Sequence, residues 1–160
     1  MSHPVITLTP ATSVSGHAPW LRLVRETPAA DIVAGRSGVH SPRDVLNLLR
    51  PVLEAEEVEV MVVILLDAKH RVMARVEVTR GLVNASLVHP REIFRVAIAL
   101  GASAVILSHN HPSGDPTPSA EDREVTANLV AAGRILDIPV HDHVIIGANC
   151  HSSFAEMGLI

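Results

Sequence analysis

The chain has 160 residues, 48% of them apolar, which suits one domain with a sizeable core. Aromatics are only 2%, Tyr is absent, and 13 basic against 17 acidic residues give a formal charge of −4. That composition argues against a single-strand nucleic-acid binder, which needs stacking rings, and against a domain that grips DNA by its phosphates. No apolar run approaches the ~20 residues of a membrane helix, and no basic start leads into an apolar core, so the expectation is a cytoplasmic protein without a leader.

Met1 to Pro19 show little periodicity and read as a loosely attached arm. Trp20 to Glu26 is predicted as a strand, with Trp20 and the apolar edge Leu21 to Val24 marking a surface anchor or a homodimer contact. Thr27 to His40 reads as a connector, which makes 1–40 an arm and 41–160 the domain. Ser41-Pro42-Arg43-Asp44 opens a helix, with Ser as cap, Pro at the first position and Asp in the first turn. Val45, Leu48, Leu49, Val52 and Leu53 keep helical spacing, and Pro51 is expected to bend or end the helix near Arg50.

An acidic run, Glu54, Glu56, Glu57 and Glu59, leads into Val60 to Leu66. That segment is continuously apolar, as a central strand covered on both faces would be. Asp67 to His70 reads as a turn, Arg71 to Thr79 as the partner strand of a hairpin, and Gly81 as its break. Ala85 to Val88 is a further short strand by the same reading. Pro90 begins a second helix, Arg91 to Leu100, with Ile93, Val96, Ala97 and Leu100 inward and Gly101 as its stop. His89-Pro90-Arg91 is its starting turn; Arg91 could pair with an acid near a site or lie at the surface.

Ala102 to Leu107 is a buried strand by its apolar run. It breaks into a loop rich in Pro, Ser, Gly and Asp. Within it Asn110, Pro112, Ser113, Gly114 and Pro116 read as turn chemistry, with Gly114 able to take a positive φ. The third helix runs from Ser119 to Leu136, with Val125, Leu129, Ala132 and Leu136 at helical spacing. Gly133 weakens it by ~1 kcal/mol relative to Ala unless close packing needs the missing side chain. Val140 to Ile146 is a strand closed by Gly147, and His151 to Ile160 an irregular segment returning to the sheet. Cys150 is the one cysteine, so no internal disulfide forms; this fits a reducing compartment. The sum is a mixed α/β domain with helices around a curved, mixed sheet.

The chemistry concentrates where the loop meets its flanking elements. Alternate strand residues share a side, so His109 and His111 can face one point. Asp122, one turn into the next helix, can close that point. Two imidazoles and a carboxylate with room for water form an open zinc set. Each histidine alone would read as a satisfied core or surface residue. Asp122 alone would read as an acid favoured by the helix dipole, or as half of a capping box with Ser119. The second His-x-His, His141-Asp142-His143, reads as structural, bonded to neighbouring loops rather than to metal.

His-x-His, seven residues, Ser, two residues, Asp resembles the JAMM signature of JAB/MPN metalloproteases. The fuller wording His-Asn-His-Pro-Ser-Gly-Asp-Pro-Thr-Pro-Ser resembles the RadC-like branch, as do Val-His-Pro-Arg-Glu upstream and Asp-His-Val-Ile-Ile-Gly downstream. The resemblance spans roughly Ser41 to Ile160 and implies the JAB/MPN, cytidine-deaminase-like arrangement. It implies zinc on His109, His111 and Asp122, and a second job for Ser119: a hydroxyl for the oxyanion, worth ~3 kcal/mol in the barrier. It also implies a glutamate base ahead of the first buried strand. Glu59 fits that place best, with Glu57, Glu56 and Glu77 as rivals. The implied activity is hydrolysis of a peptide or isopeptide bond.

Two other readings follow from the same likeness. Domains of this fold can lose catalysis and serve as binding modules. Longer RadC-like proteins carry a DNA-repair label and resemble a helix-hairpin-helix module fused ahead of the domain. No Gly-rich hairpin pattern stands before Ser41, which weakens that expectation.

Overall fold

The computed structural model describes residues 38–81 and 88–160. The strand expected over Trp20 to Glu26, the Trp20 contact and all but Val88 of the strand expected at Ala85 to Val88 lie outside them; Val88 itself is not in a strand. The elements are α1 (Pro42–Leu53), β1 (Val60–Leu66), β2 (Val72–Arg80), α2 (Pro90–Leu100), β3 (Ala104–Asn110), α3 (Ala120–Leu136), β4 (Val140–Ile146) and β5 (His151–Ser153). The sheet order is β2-β1-β3-β4-β5. The β3–β4 pair is parallel and the others are antiparallel, so the sheet is mixed. Helix α3 makes the long connection that a parallel pair demands.

All seven residues of β1 are buried, as a strand covered on both faces requires. Alternation splits the core into two layers. Met61, Val63, Leu65, Val105 and Leu107 pack with Ile93, Phe94 and Ala97 of α2 and with Val125 and Leu129 of α3. Val62, Ile64, Leu66, Ala104 and Ile106 pack with Val45, Leu49 and Leu53 of α1. The hairpin turn is where the sequence puts it. Asp67 holds it by accepting from Lys69 and Arg71 backbone N–H groups and pairing with the Arg71 guanidinium at 2.6 Å.

Three local expectations need correction. Helix α1 continues through Pro51 to Leu53, because the proline is exposed in the last turn while Leu49 and Leu53 stay buried and Glu54 N–H still reaches the Arg50 carbonyl. The tail begins as a true strand, β5, before it becomes irregular. Gly38 and Val39, read as connector, belong to the domain: Gly38 bridges to Arg71, and Val39 is buried and donates to the His70 carbonyl at 2.8 Å.

Gly133 is a packing requirement. A Cβ there would lie 2.6 Å from the Ile138 carbonyl oxygen and 3.2 Å from the Phe94 ring. Helix α3 can therefore lie close to α2 and to the turn that leads into β4.

Candidate metal centre

The register of β1 against β3 pairs Met61 with His109. Continued past the strand ends, it brings Glu59 alongside His111. The parallel neighbour β4 then holds the start of the loop, since His111 N–H donates to the Ile146 carbonyl at 2.9 Å. Gly114, at φ +84°, turns the loop back, and its carbonyl accepts from Ala148 N–H at 3.0 Å. Ser119 caps α3. Its hydroxyl accepts from Asp122 N–H at 3.0 Å and donates to Asp122 Oδ2 at 2.7 Å, while Ser119 N–H donates to the same oxygen at 2.8 Å. This capping box aims the carboxylate at the strand end.

His109, His111 and Asp122 converge: one ligand atom from each lies within 4.8 Å of the others, and this is the group among the described residues that could hold a metal. The two Nε2 atoms are 3.0 Å apart. Asp122 Oδ1 is 3.2 Å from His109 Nε2, and Oδ2 is 3.5 Å from His111 Nε2. Donors around a tetrahedral ion with ~2.0–2.1 Å bonds sit roughly 3.3 Å apart, so the spacing fits such an ion. The chemistry fits as well. His111 Nδ1 lies 2.7 Å from the Asp115 carbonyl, which can only accept, so Nδ1 carries hydrogen and neutral Nε2 carries a lone pair. A lone pair and a buried carboxylate facing each other call for a cation or a proton between them.

Titration behaviour reflects the same demand. Burial works against the Asp122 charge, but a proton on the Nε2 of His109 or His111, standing where a cation would, donates to the carboxylate, outweighs burial and holds the carboxyl far below the usual range. The Asp122 hydrogen bond raises His111 above its ordinary value, against the opposing effect of burial. Glu59 is half-buried, with Oε1 3.8 Å from His109 Nε2. Burial raises its pKa; Asp122 adds to this, while the His109 and His111 charges oppose it.

The rivals of Glu59 are elsewhere. Glu56 and Glu77 both pair with Arg80, at 2.6 and 2.9 Å. Glu57 is exposed. Arg91 is a surface residue bonded to Glu92. Cys150 is exposed, with its thiol on the Gly114 carbonyl at 3.4 Å.

Two residues do more than their sequence context suggests. Asn110 is the last residue of β3 and buried rather than a loop residue. Its side chain accepts from Val60 N–H at 2.8 Å and donates to the Val58 carbonyl at 3.0 Å, gripping the backbone on both sides of Glu59. His143 is fully buried and reaches His109 Nδ1 at 2.8 Å. Asp142, by contrast, does serve the tail, accepting from the Ser153 hydroxyl and Ala155 N–H. Spacing could flag the second His-x-His, but not that β4 lies beside β3.

A further gathering, His40, His70 and His141, lines a hollow of about 520 Å³ on the α1 side. Ring centroids there are 6.1 and 4.9 Å apart, and the three do not converge on one point.

A mixed sheet between helices, with a His-x-His strand end facing a capped Asp, defines a JAB-type domain. A sequence model of the RadC-like JAB domain matches residues 39–159, and the chain belongs to that family. It is 52% identical over 120 residues to a UPF0758 protein of Symbiobacterium thermophilum, covering 75% of this chain and 51% of the relative. A UPF0758 protein of Caldanaerobacter subterraneus is 51% identical over 120 residues, covering 75% and 52%. One of Geobacter sulfurreducens is 46% identical over the same length, with the same coverage. The chain spans about half the length of these curated relatives. No helix of the described residues is long and apolar enough to cross a membrane.

Proposed function

We propose that this domain is a zinc-dependent hydrolase that cleaves an amide-type bond in a peptide or isopeptide substrate. The observation that carries the reading is the meeting of His109 Nε2, His111 Nε2 and the Asp122 carboxylate with a half-buried Glu59 carboxylate 3.8 Å away. Two imidazole nitrogens and one carboxylate oxygen are a zinc donor set that leaves a position open. Zinc held there supplies Lewis-acid activation of water and of the scissile carbonyl.

The chain's own residues supply the rest. Glu59 accepts the proton from the attacking water and returns it to the leaving amine; its raised pKa suits both steps. Asn110 keeps Glu59 in place. Ser119 anchors Asp122, and serves the oxyanion when its hydroxyl turns from Asp122 Oδ2. Asp122 Oδ2 already accepts twice from Ser119, so Oδ1 is the oxygen left for the metal.

Metal analysis of the wild type against His109→Ala with His111→Ala tests the site; equal zinc in both ends the proposal. Glu59→Gln tests turnover. It should fold and hold zinc normally while peptidase activity falls by roughly 10²–10⁴. Wild-type protein that holds zinc yet cleaves no amide or peptide leaves a binding module instead.

A further inference from the structure

The second His-x-His motif contributes an imidazole with no surface and no ligand of its own. His143 is fully buried and stacks on Phe154, with ring centroids 4.8 Å apart. Asp142 fixes that stack from behind by holding Ser153 and Ala155, on either side of Phe154. Both ring nitrogens of His143 are engaged: Nε2 is 2.8 Å from His109 Nδ1, and Nδ1 is 2.7 Å from the Thr126 hydroxyl.

The hydrogens of this chain follow from its far end. Thr126 Oγ1 lies 2.5 Å from the Asp122 backbone carbonyl, which can only accept. The single hydroxyl hydrogen therefore points to Asp122. Thr126 can then only accept from His143, so His143 carries hydrogen on Nδ1. Its Nε2 is left with a lone pair and accepts from His109 Nδ1–H. His109 in turn is left with its lone pair on Nε2, aimed at His111 and Asp122. The circuit thus starts at the main chain of one ligand and ends at the side chain of another.

We propose that His143 and Thr126 are positioning residues that lock His109 into its metal-binding tautomer and orientation. The inference rests on the metal-site reading above, and gives the second His-x-His motif its role. A ligating histidine usually hands its other N–H to a carboxylate, a carbonyl or water, and losing that partner costs 10–100-fold in metal affinity. Here the partner is another imidazole, which needs a third group to choose its tautomer. That group is Thr126, one turn beyond Asp122 on α3.

The test uses the full chain, metal-free and zinc-loaded. In His143→Gln the amide oxygen can stand near Nε2 and accept from His109; in His143→Leu nothing can. Thr126→Val removes the group that sets the tautomer, and Thr126→Ser restores it. Chelator competition should give zinc affinity near wild type for His143→Gln and Thr126→Ser. It should give a 10–100-fold loss for His143→Leu and a smaller loss for Thr126→Val. Nitrogen NMR of the metal-free protein should find His109 with hydrogen on Nδ1 in the wild type and a mixture of tautomers in His143→Leu. Thermal unfolding of metal-free samples identifies any variant that merely fails to fold, and the Gln and Ser variants then carry the comparison.

Zinc affinity and His109 tautomer unchanged in His143→Leu overturn the proposal, as does a loss in His143→Gln equal to that in His143→Leu. A wild type that binds no zinc removes the metal-site reading instead, while the NMR comparison still reports on the circuit.

Discussion

Replacing Asp122 separates the helix cap seen in the structure from the metal-ligand role proposed for it. Its Oδ2 closes the capping box of α3 by accepting from Ser119 N–H and Ser119 Oγ–H at 2.8 and 2.7 Å. Its Oδ1, 3.2 Å from His109 Nε2, faces the metal side. Alanine removes both. Two cap hydrogen bonds at ~1 kcal/mol each make the metal-free loss about 2 kcal/mol. In a domain of this size that lowers Tm by roughly 4–8 °C. Asparagine keeps an oxygen for the cap, so metal-free Asp122→Asn should lose less than about 1 kcal/mol. Zinc at a hundred times Kd adds ~2.7 kcal/mol to a protein that binds it only when folded. Wild type should gain that increment, Asp122→Asn much less of it, and Asp122→Ala none. The gap between wild type and Asp122→Ala then widens from about 2 to about 5 kcal/mol on adding zinc. Thermal unfolding of the three proteins with and without zinc reads both quantities. A full zinc increment in Asp122→Ala would refute the reasoning and leave Asp122 as a helix cap alone.

Other substitutions test the supports around the site. Asn110→Ala strips the grip on the backbone beside Glu59, leaving Val60 N–H and the Val58 carbonyl unpaired. It should cost about 2–3 kcal/mol in denaturant unfolding and lower turnover with zinc content unchanged; unaltered turnover would separate Asn110 from Glu59. Gly133→Ala gains ~1 kcal/mol of helix propensity but drives a Cβ into the Ile138 carbonyl, so a net loss of about 1 kcal/mol or more is expected; any rise in Tm contradicts the close packing. His141 sits below its ordinary value of 6.5, through burial and then the His70 charge. The unfolded chain therefore binds that proton more readily, and the contribution of His141 is full above pH 6.5 and is lost as pH falls toward the folded value. His143 acts in the same direction, through burial and then the His109 and His111 charges, and the raised His111 acts in the opposite one. The informative measurement is the difference between wild type and His141→Asn in metal-free denaturant midpoints at two pH values. The substitution should flatten the decline between pH 7.5 and 5.5, and an unchanged decline would show that His141 does not contribute.

Most elements were legible because each carried a local signal. Val60 to Leu66 carried the continuous apolar run of a doubly covered strand. Ser41-Pro42 and Ser119 marked helix starts, and Gly101 a stop that the chain uses at φ +66°. The convergence of His109, His111 and Asp122 was legible for the same reason, since strand alternation and a helix cap are both short-range. The misreadings needed neighbours that sequence spacing does not encode. Pro51 reads as a break because propensity favours one, but burial of Leu49 and Leu53 holds the last turn. Asn110 reads as loop chemistry until β1 is known to lie beside it. His143 reads as bonded to neighbouring loops until the parallel β3–β4 register sets Leu107 against it and His109 just beyond. The places of the candidate glutamates also needed the fold: Arg80 on the hairpin's far strand pairs with Glu56 and Glu77, while Glu59 lies 3.8 Å from His109.

The end of β3 also explains why the candidate donor atoms gather at this point. Ser108, His109 and Asn110 are consecutive, polar and buried, an arrangement that is costly unless every group is bonded. Each has a different partner: Ser108 the Val144 carbonyl, His109 the His143 ring, and Asn110 the backbone around Glu59. These bonds tie β3 to β4 on one side and to β1 on the other, so the strand cannot slide. A slip of one residue would exchange the faces of His109 and Asn110 and undo both attachments at once. With the strand fixed, His109 Nε2 is the nitrogen left to meet His111, Asp122 and Glu59. The polar residues that look expensive for the core are therefore what holds that nitrogen where a cation can reach it.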